Sequence, residues 1–100
     1  MDSKQQILMM SGIASAETLA AAIALQLNCN LEVVASRKAC IAALRRDHYD
    51  LLIVDEALIE GDPNAAELIW KHSGLAIPLQ INFAISGTAR LVREARTALA

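Results

Sequence analysis

The chain has 100 residues, 55% of them hydrophobic and only three aromatic, with a net charge of −2 and a pI near 5.6. That length holds one domain with a single core, built here from Ala, Leu, Ile and Val, and the composition excludes a disordered chain. The small negative charge excludes a broad electrostatic attraction to nucleic acid or to an anionic membrane.

Residues 7–10 form a short apolar run ahead of Ser11-Gly12, which predicts a strand followed by a turn. A helix over residues 16–28 follows, with Ser15 as N-cap and Leu19, Ile23 and Leu27 as the buried stripe. Residues 31–34 predict a second strand. Ser36 then caps a helix reaching about Asp47, with Cys40, Ile41 and Leu44 among its apolar positions. Cys29 and Cys40 have no Cys-x-x-Cys or Cys/His spacing, so both are expected as buried or half-buried thiols.

The third strand, residues 51–54, carries four consecutive apolar residues and ends on Asp55. A run without alternation suits a central parallel strand covered on both faces. A carboxylate at its carboxyl end lies where open α/β sheets place ligands, which makes Asp55 the first candidate for chemistry. Beyond the Glu56 to Gly61 loop, Asp62 is a predicted N-cap with Pro63 at the first helical position. Gly74 closes that helix, which carries Leu68, Ile69 and Trp70. Residues 75–83 predict a fourth strand, with Pro78 tolerated at its start or on an edge. From Gly87 the pattern is helical to Ala100, and no fifth strand is predicted. The alternation predicts a parallel α/β sheet.

The stretch from Ser36 through Tyr49-Asp50 to Asp55 resembles the second helix and third strand of a response-regulator receiver domain. The resemblance spans roughly residues 5–86. It implies a flavodoxin-like three-layer sandwich with sheet order 2-1-3-4, lacking the fifth strand, and makes Asp55 the candidate phosphoacceptor. It also exposes departures. Where active receivers carry an acidic pair that helps hold magnesium, this chain has Ser11 and Gly12. Phe83 stands where the switch hydroxyl belongs, with Asn82 the nearest polar substitute, its side chain expected on the opposite face. The lysine that follows the family's fifth strand has no counterpart. Asp55 alone makes at most a weak metal site, because Mg²⁺ requires several hard oxygen ligands. No cofactor is expected unless Asp55 is an active phosphoacceptor, in which case magnesium is implied.

Plainer roles are available to the other polar residues. Asp55 itself can be satisfied by backbone donors of the following loop. His48 and His72 sit at helix ends, where imidazolium meets the dipole favourably. Arg45 and Arg46 read as a solvated helix end, Trp70 as core, and Glu56, Glu60 and Asp62 as acidic loop residues. No nucleophile-base pair and no glycine-rich phosphate loop appears.

The last helix reads two ways. Ile85, Val92 and Leu99 are spaced by seven, with Ala95 between, a short heptad seam that makes these four residues dimer-interface candidates. Alternatively the helix is plainly amphipathic and folds back over the sheet, where the missing fifth strand leaves apolar surface and an open edge. The division expected is residues 1–86 as the receiver-like domain and 87–100 as a terminal helix. That helix has no stop signal, so it is expected to continue into a signalling or dimerisation helix.

Together these features predict a cytoplasmic, non-catalytic receiver-like module of two-component signalling, the amino-terminal input part of a longer protein such as a histidine kinase. Its partner is another protein or a second copy, without nucleic acid or membrane. Two alternatives stand beside it: a working receiver phosphorylated on Asp55, and a purely structural dimerisation domain.

Overall fold

A computed structural model describes residues 4–100; residues 1–3, the start of the amino-terminal stretch, lie outside the described residues. Strands β1 (Gln6–Met10), β2 (Asn30–Val34), β3 (Leu51–Asp55) and β4 (Ile77–Ile81) alternate with helices α1 (Ala16–Leu27), α2 (Arg37–Arg46), α3 (Pro63–His72) and α4 (Thr88–Leu99). The sheet is wholly parallel with order β2-β1-β3-β4, so the fold is flavodoxin-like without a fifth strand among the described residues. No helix among these residues is long and apolar enough to cross a membrane.

The continuous apolar runs of β1 and β3 follow from burial on both faces. Ile7, Met9, Leu51 and Ile53 point toward α1 and α4, while Leu8, Met10, Leu52 and Val54 point toward α2 and α3. All eight are fully buried. Each such side chain contributes roughly 1.5–3 kcal/mol through burial, so these two strands form the centre of the core.

Local signals set the helix ends. Ser36 accepts a hydrogen bond from the Ala39 N–H at 3.1 Å, and Asp62 accepts one from Ala65 at 3.1 Å with Pro63 in the first turn. Asn28 closes α1 in the left-handed region at φ 51°, a conformation asparagine tolerates better than most residues. Gly74, at φ 60°, makes the turn after α3. Ser15 occupies the N-cap of α1, but its side chain makes no capping bond.

Several boundaries and faces differ from expectation. The buried stripe of α1 is Ala16, Ala20 and Ile23, with Leu19 and Leu27 packed only at its margins. On α2 the buried positions are Cys40 and Ala43, flanked by half-buried Ile41 and Leu44. Strand β4 is shorter than the apolar run suggested: Leu75 is fully exposed in the preceding turn. The Ile77 N–H bonds the Asp50 carbonyl, which turns alternate N–H groups toward β3 and leaves the donor that Pro78 lacks on the free edge.

The heptad reading of the last helix is corrected. Ile85 precedes α4, in a turn closed by the Ile85 and Ser86 N–H groups on the Asn82 carbonyl. The face that packs is Leu91, Val92 and Ala95, joined at its margin by Ala98 and Leu99, and it lies over β3 and β4 beside α1. Val92 and Ala95 are therefore interior residues of this chain and are not available as dimer contacts. The spacing 91, 92, 95, 98, 99 is the 3.6-residue period of a surface helix, which a 3.5-residue seam mimics over so short a length.

Candidate functional site

The sheet order reverses between β1 and β3, so the loops leaving their carboxyl ends run in opposite directions and outline the crevice where folds of this kind hold ligands. Ser11 follows β1 and Asp55 ends β3, which brings the two residues together at this point. The Ser11 hydroxyl donates to Asp55 Oδ2 at 2.9 Å, and the Ala57 N–H donates to Asp55 Oδ1 at 3.2 Å. Ser11 Oγ in turn accepts a longer bond, 3.4 Å, from the Ile13 N–H. One carboxylate thus ties the β1–α1 loop to the short helical turn Glu56–Leu58, which it also caps.

This geometry closes the crevice. Ser11 is 1% exposed and Asp55 2%, and no buried side-chain polar atom among the described residues lacks a partner. An open cleft of about 530 Å³ lies to one side, between the Glu56 to Ala66 segment and the end of β4. Glu56, Glu60, Asp62, Gln80 and Asn82 line it, and Asp55 does not.

The resemblance implied magnesium, and the residues present do not fit it. One carboxylate and one hydroxyl already bonded to each other leave no set of hard oxygens that could surround the ion. Among the described residues no group of three or more His, Cys, Asp or Glu side chains is placed to hold a metal. Gly12 is exposed and has room for a side chain, since an added Cβ would meet only the Ala35 carbonyl oxygen and a Leu58 methyl, both at 3.8 Å.

The remaining predicted positions separate. Phe83, which the resemblance sets at the switch position, is 4% exposed and belongs to the core beneath α4. Asn82 faces the other way, into the open cleft, and its Oδ1 accepts the Ala84 N–H at 3.0 Å. Asp62 is held by Arg37 at 2.6 Å, a contact that, with the Ala65 N–H, lowers its pKa below the ordinary carboxylate value. Ile85 is exposed in the turn before α4, whereas Val92, Ala95 and half-buried Leu99 share the packed face, so the proposed seam is not one exposed surface.

One cluster escaped the sequence reading. At the opposite end of the sheet, Arg46 is exposed, as a solvated helix end should be, and it also meets both oxygens of Glu32 at 2.8 and 2.9 Å and Asp47 at 2.6 Å, ion pairs that the sequence does not announce. The Tyr49 hydroxyl donates to Glu32 at 2.9 Å, and burial together with this bond pushes the phenol up to about 12. The Tyr-Asp pair was visible in the sequence, but nothing there linked it to Glu32. Both thiols are free and buried, and burial raises Cys40 to about 11.

No protein-family model matches the chain, and no curated protein matches it.

Proposed function

We propose that this chain is a non-catalytic, receiver-like module of two-component signalling that works in the cytoplasm by contact with another protein. In this reading it is the input part of a longer signalling protein such as a histidine kinase. The observation that supports it most is the position and state of Asp55. It stands at the strand end where a receiver carries its phosphoacceptor, yet it is 2% exposed and both of its oxygens are engaged by Ser11 and Ala57. In-line attack on a phosphoryl donor needs a reachable carboxylate oxygen and a cation to neutralise the incoming charge. Ser11-Gly12 in place of an acidic pair and Phe83 in place of a switch hydroxyl support the same reading.

Signal passes, on this account, as a preference of the partner for one of two packing arrangements. Self-association would use surfaces outside the core: Ile85, 75% exposed, and the free edge of β4, where Ile77 is 43% exposed. Incubation with acetyl phosphate and magnesium tests the proposal. Intact-mass spectra should show no added phosphate. An acyl phosphate that disappears in Asp55→Asn would establish the working-receiver reading instead.

A further inference from the structure

A groove of about 500 Å³ runs between α2 and α3, with an apolar floor of Ile41, Ala42, Ala65 and Leu68. Leu68 is 45% exposed, so this floor is open to solvent. The rim is basic: Arg37, Lys38 and Arg45 line the groove, and no carboxylate does. Arg37 is taken by Asp62, while Lys38 and Arg45 make no ion pair among the described residues. These two cations lie seven positions apart on α2, two helical turns or roughly 10 Å along the axis.

We propose that the α2–α3 groove is the docking site for an acidic amphipathic helix of a partner protein. The partner's apolar side chains fill the floor, where Ala42 and Ala65 permit close approach, and carboxylates two turns apart meet Lys38 and Arg45. Charge complementarity selects this occupant. A groove with three cations on a chain of net charge −2 is a local feature, too small for a nucleic-acid backbone or a lipid surface. A second copy does not supply the helix: α1 has Glu17 as its only acid, α3 has only Glu67, and α4 sets Glu94 among Arg90, Arg93 and Arg96. The inference rests on the contact-module reading and names the surface and the chemistry of the partner.

The test uses the full chain, isotopically labelled, and a synthetic helical peptide with leucines along one face and glutamates two turns apart at its flanks. Amide shifts should be confined to α2 and α3, and binding should weaken with salt. Lys38→Glu combined with Arg45→Glu should reduce affinity by about tenfold or more, and a lysine-for-glutamate peptide should recover binding to that variant. These rim residues are exposed, so the fold should tolerate the exchange. Leu68→Asp should abolish binding of the glutamate peptide. No shift at millimolar peptide, or equal binding of the glutamate peptide to the natural chain and to the doubly exchanged rim variant, would overturn the groove. So would charge-dependent binding to phosphatidylserine vesicles that the glutamate peptide does not compete. Peptide shifts on α4 or the β4 edge would also overturn it but leave the contact-module reading standing, whereas an acyl phosphate on Asp55 would remove that reading.

Discussion

Ser11 and Asp55 are 44 positions apart in the chain and are joined at 2.9 Å, hydroxyl to carboxylate, across the carboxyl ends of the two central strands. The bond occupies the place where this fold opens a ligand crevice. Replacing Ser11 by Ala leaves Asp55 Oδ2 buried without its donor, which should lower the unfolding free energy by about 1–3 kcal/mol. Urea unfolding of the two proteins measures this. Equal midpoints would show that the bond contributes nothing.

Magnesium should fail to bind the natural chain at sub-millimolar concentration, because a single engaged carboxylate is all the crevice supplies. Ser11→Asp together with Gly12→Asp restores the acidic pair that the resemblance calls for, and the space at Gly12 admits the new side chain. Calorimetric titration should show binding in the double variant alone. Saturation of the natural chain centred on Asp55 would contradict the degenerate site.

The placement of α4 separates two substitutions that a heptad seam would treat alike. Val92→Glu sets a charge into a core position that is 4% exposed, and should destabilise the fold by several kcal/mol, about the loss of a buried valine plus the desolvation of the carboxylate. Ile85→Glu, at 75% exposure, should change stability by less than about 0.5 kcal/mol. Thermal unfolding compares them. Similar transitions for the two variants would place α4 off the sheet.

Tyr49 is the only tyrosine, so its phenolate absorbance can be followed alone. Its folded pKa is raised to about 12 from 10.0, which means the linked stability is fully present below pH 10 and is lost as pH rises toward 12. Absorbance titration should give a native midpoint well above that of the urea-unfolded chain. Coincident midpoints would show that neither burial nor Glu32 holds the phenol.

Much of the fold is readable from the residues because burial leaves a periodic mark. The unbroken runs at 7–10 and 51–54 announce central strands, and Ser36, Asp62 and Pro63 announce their helices through capping chemistry that acts within one turn. Strand order follows from the resemblance, since local periodicity does not report which strands pair. Faces were harder to read where residues are small. On α1 the stripe is Ala16, Ala20 and Ile23, and alanines carry too weak a signal to outweigh the neighbouring leucines. The docking of α4 is one of the two readings its sequence allows, and the choice between them depends on the sheet surface left uncovered with no fifth strand among the described residues, a tertiary fact that no helical period reports. At the candidate site, a backbone donor from the loop after Asp55 is expected and Ala57 supplies it, whereas the bond from Ser11 depends on β1 and β3 being neighbours.

The stability of Asp55→Asn decides whether this carboxylate supports the fold or is held in reserve for chemistry. A carboxylate kept for phosphoryl chemistry is retained at a cost to the fold, so its replacement leaves stability unchanged or raises it. A carboxylate that joins two loops and caps a turn supports the fold, and its amide replacement places an N–H group against one of the two donors that now face it. Asp55→Asn should therefore lower the unfolding free energy by about 1–3 kcal/mol in urea titrations. An unchanged or increased stability would contradict it and show that Asp55 does not support the fold.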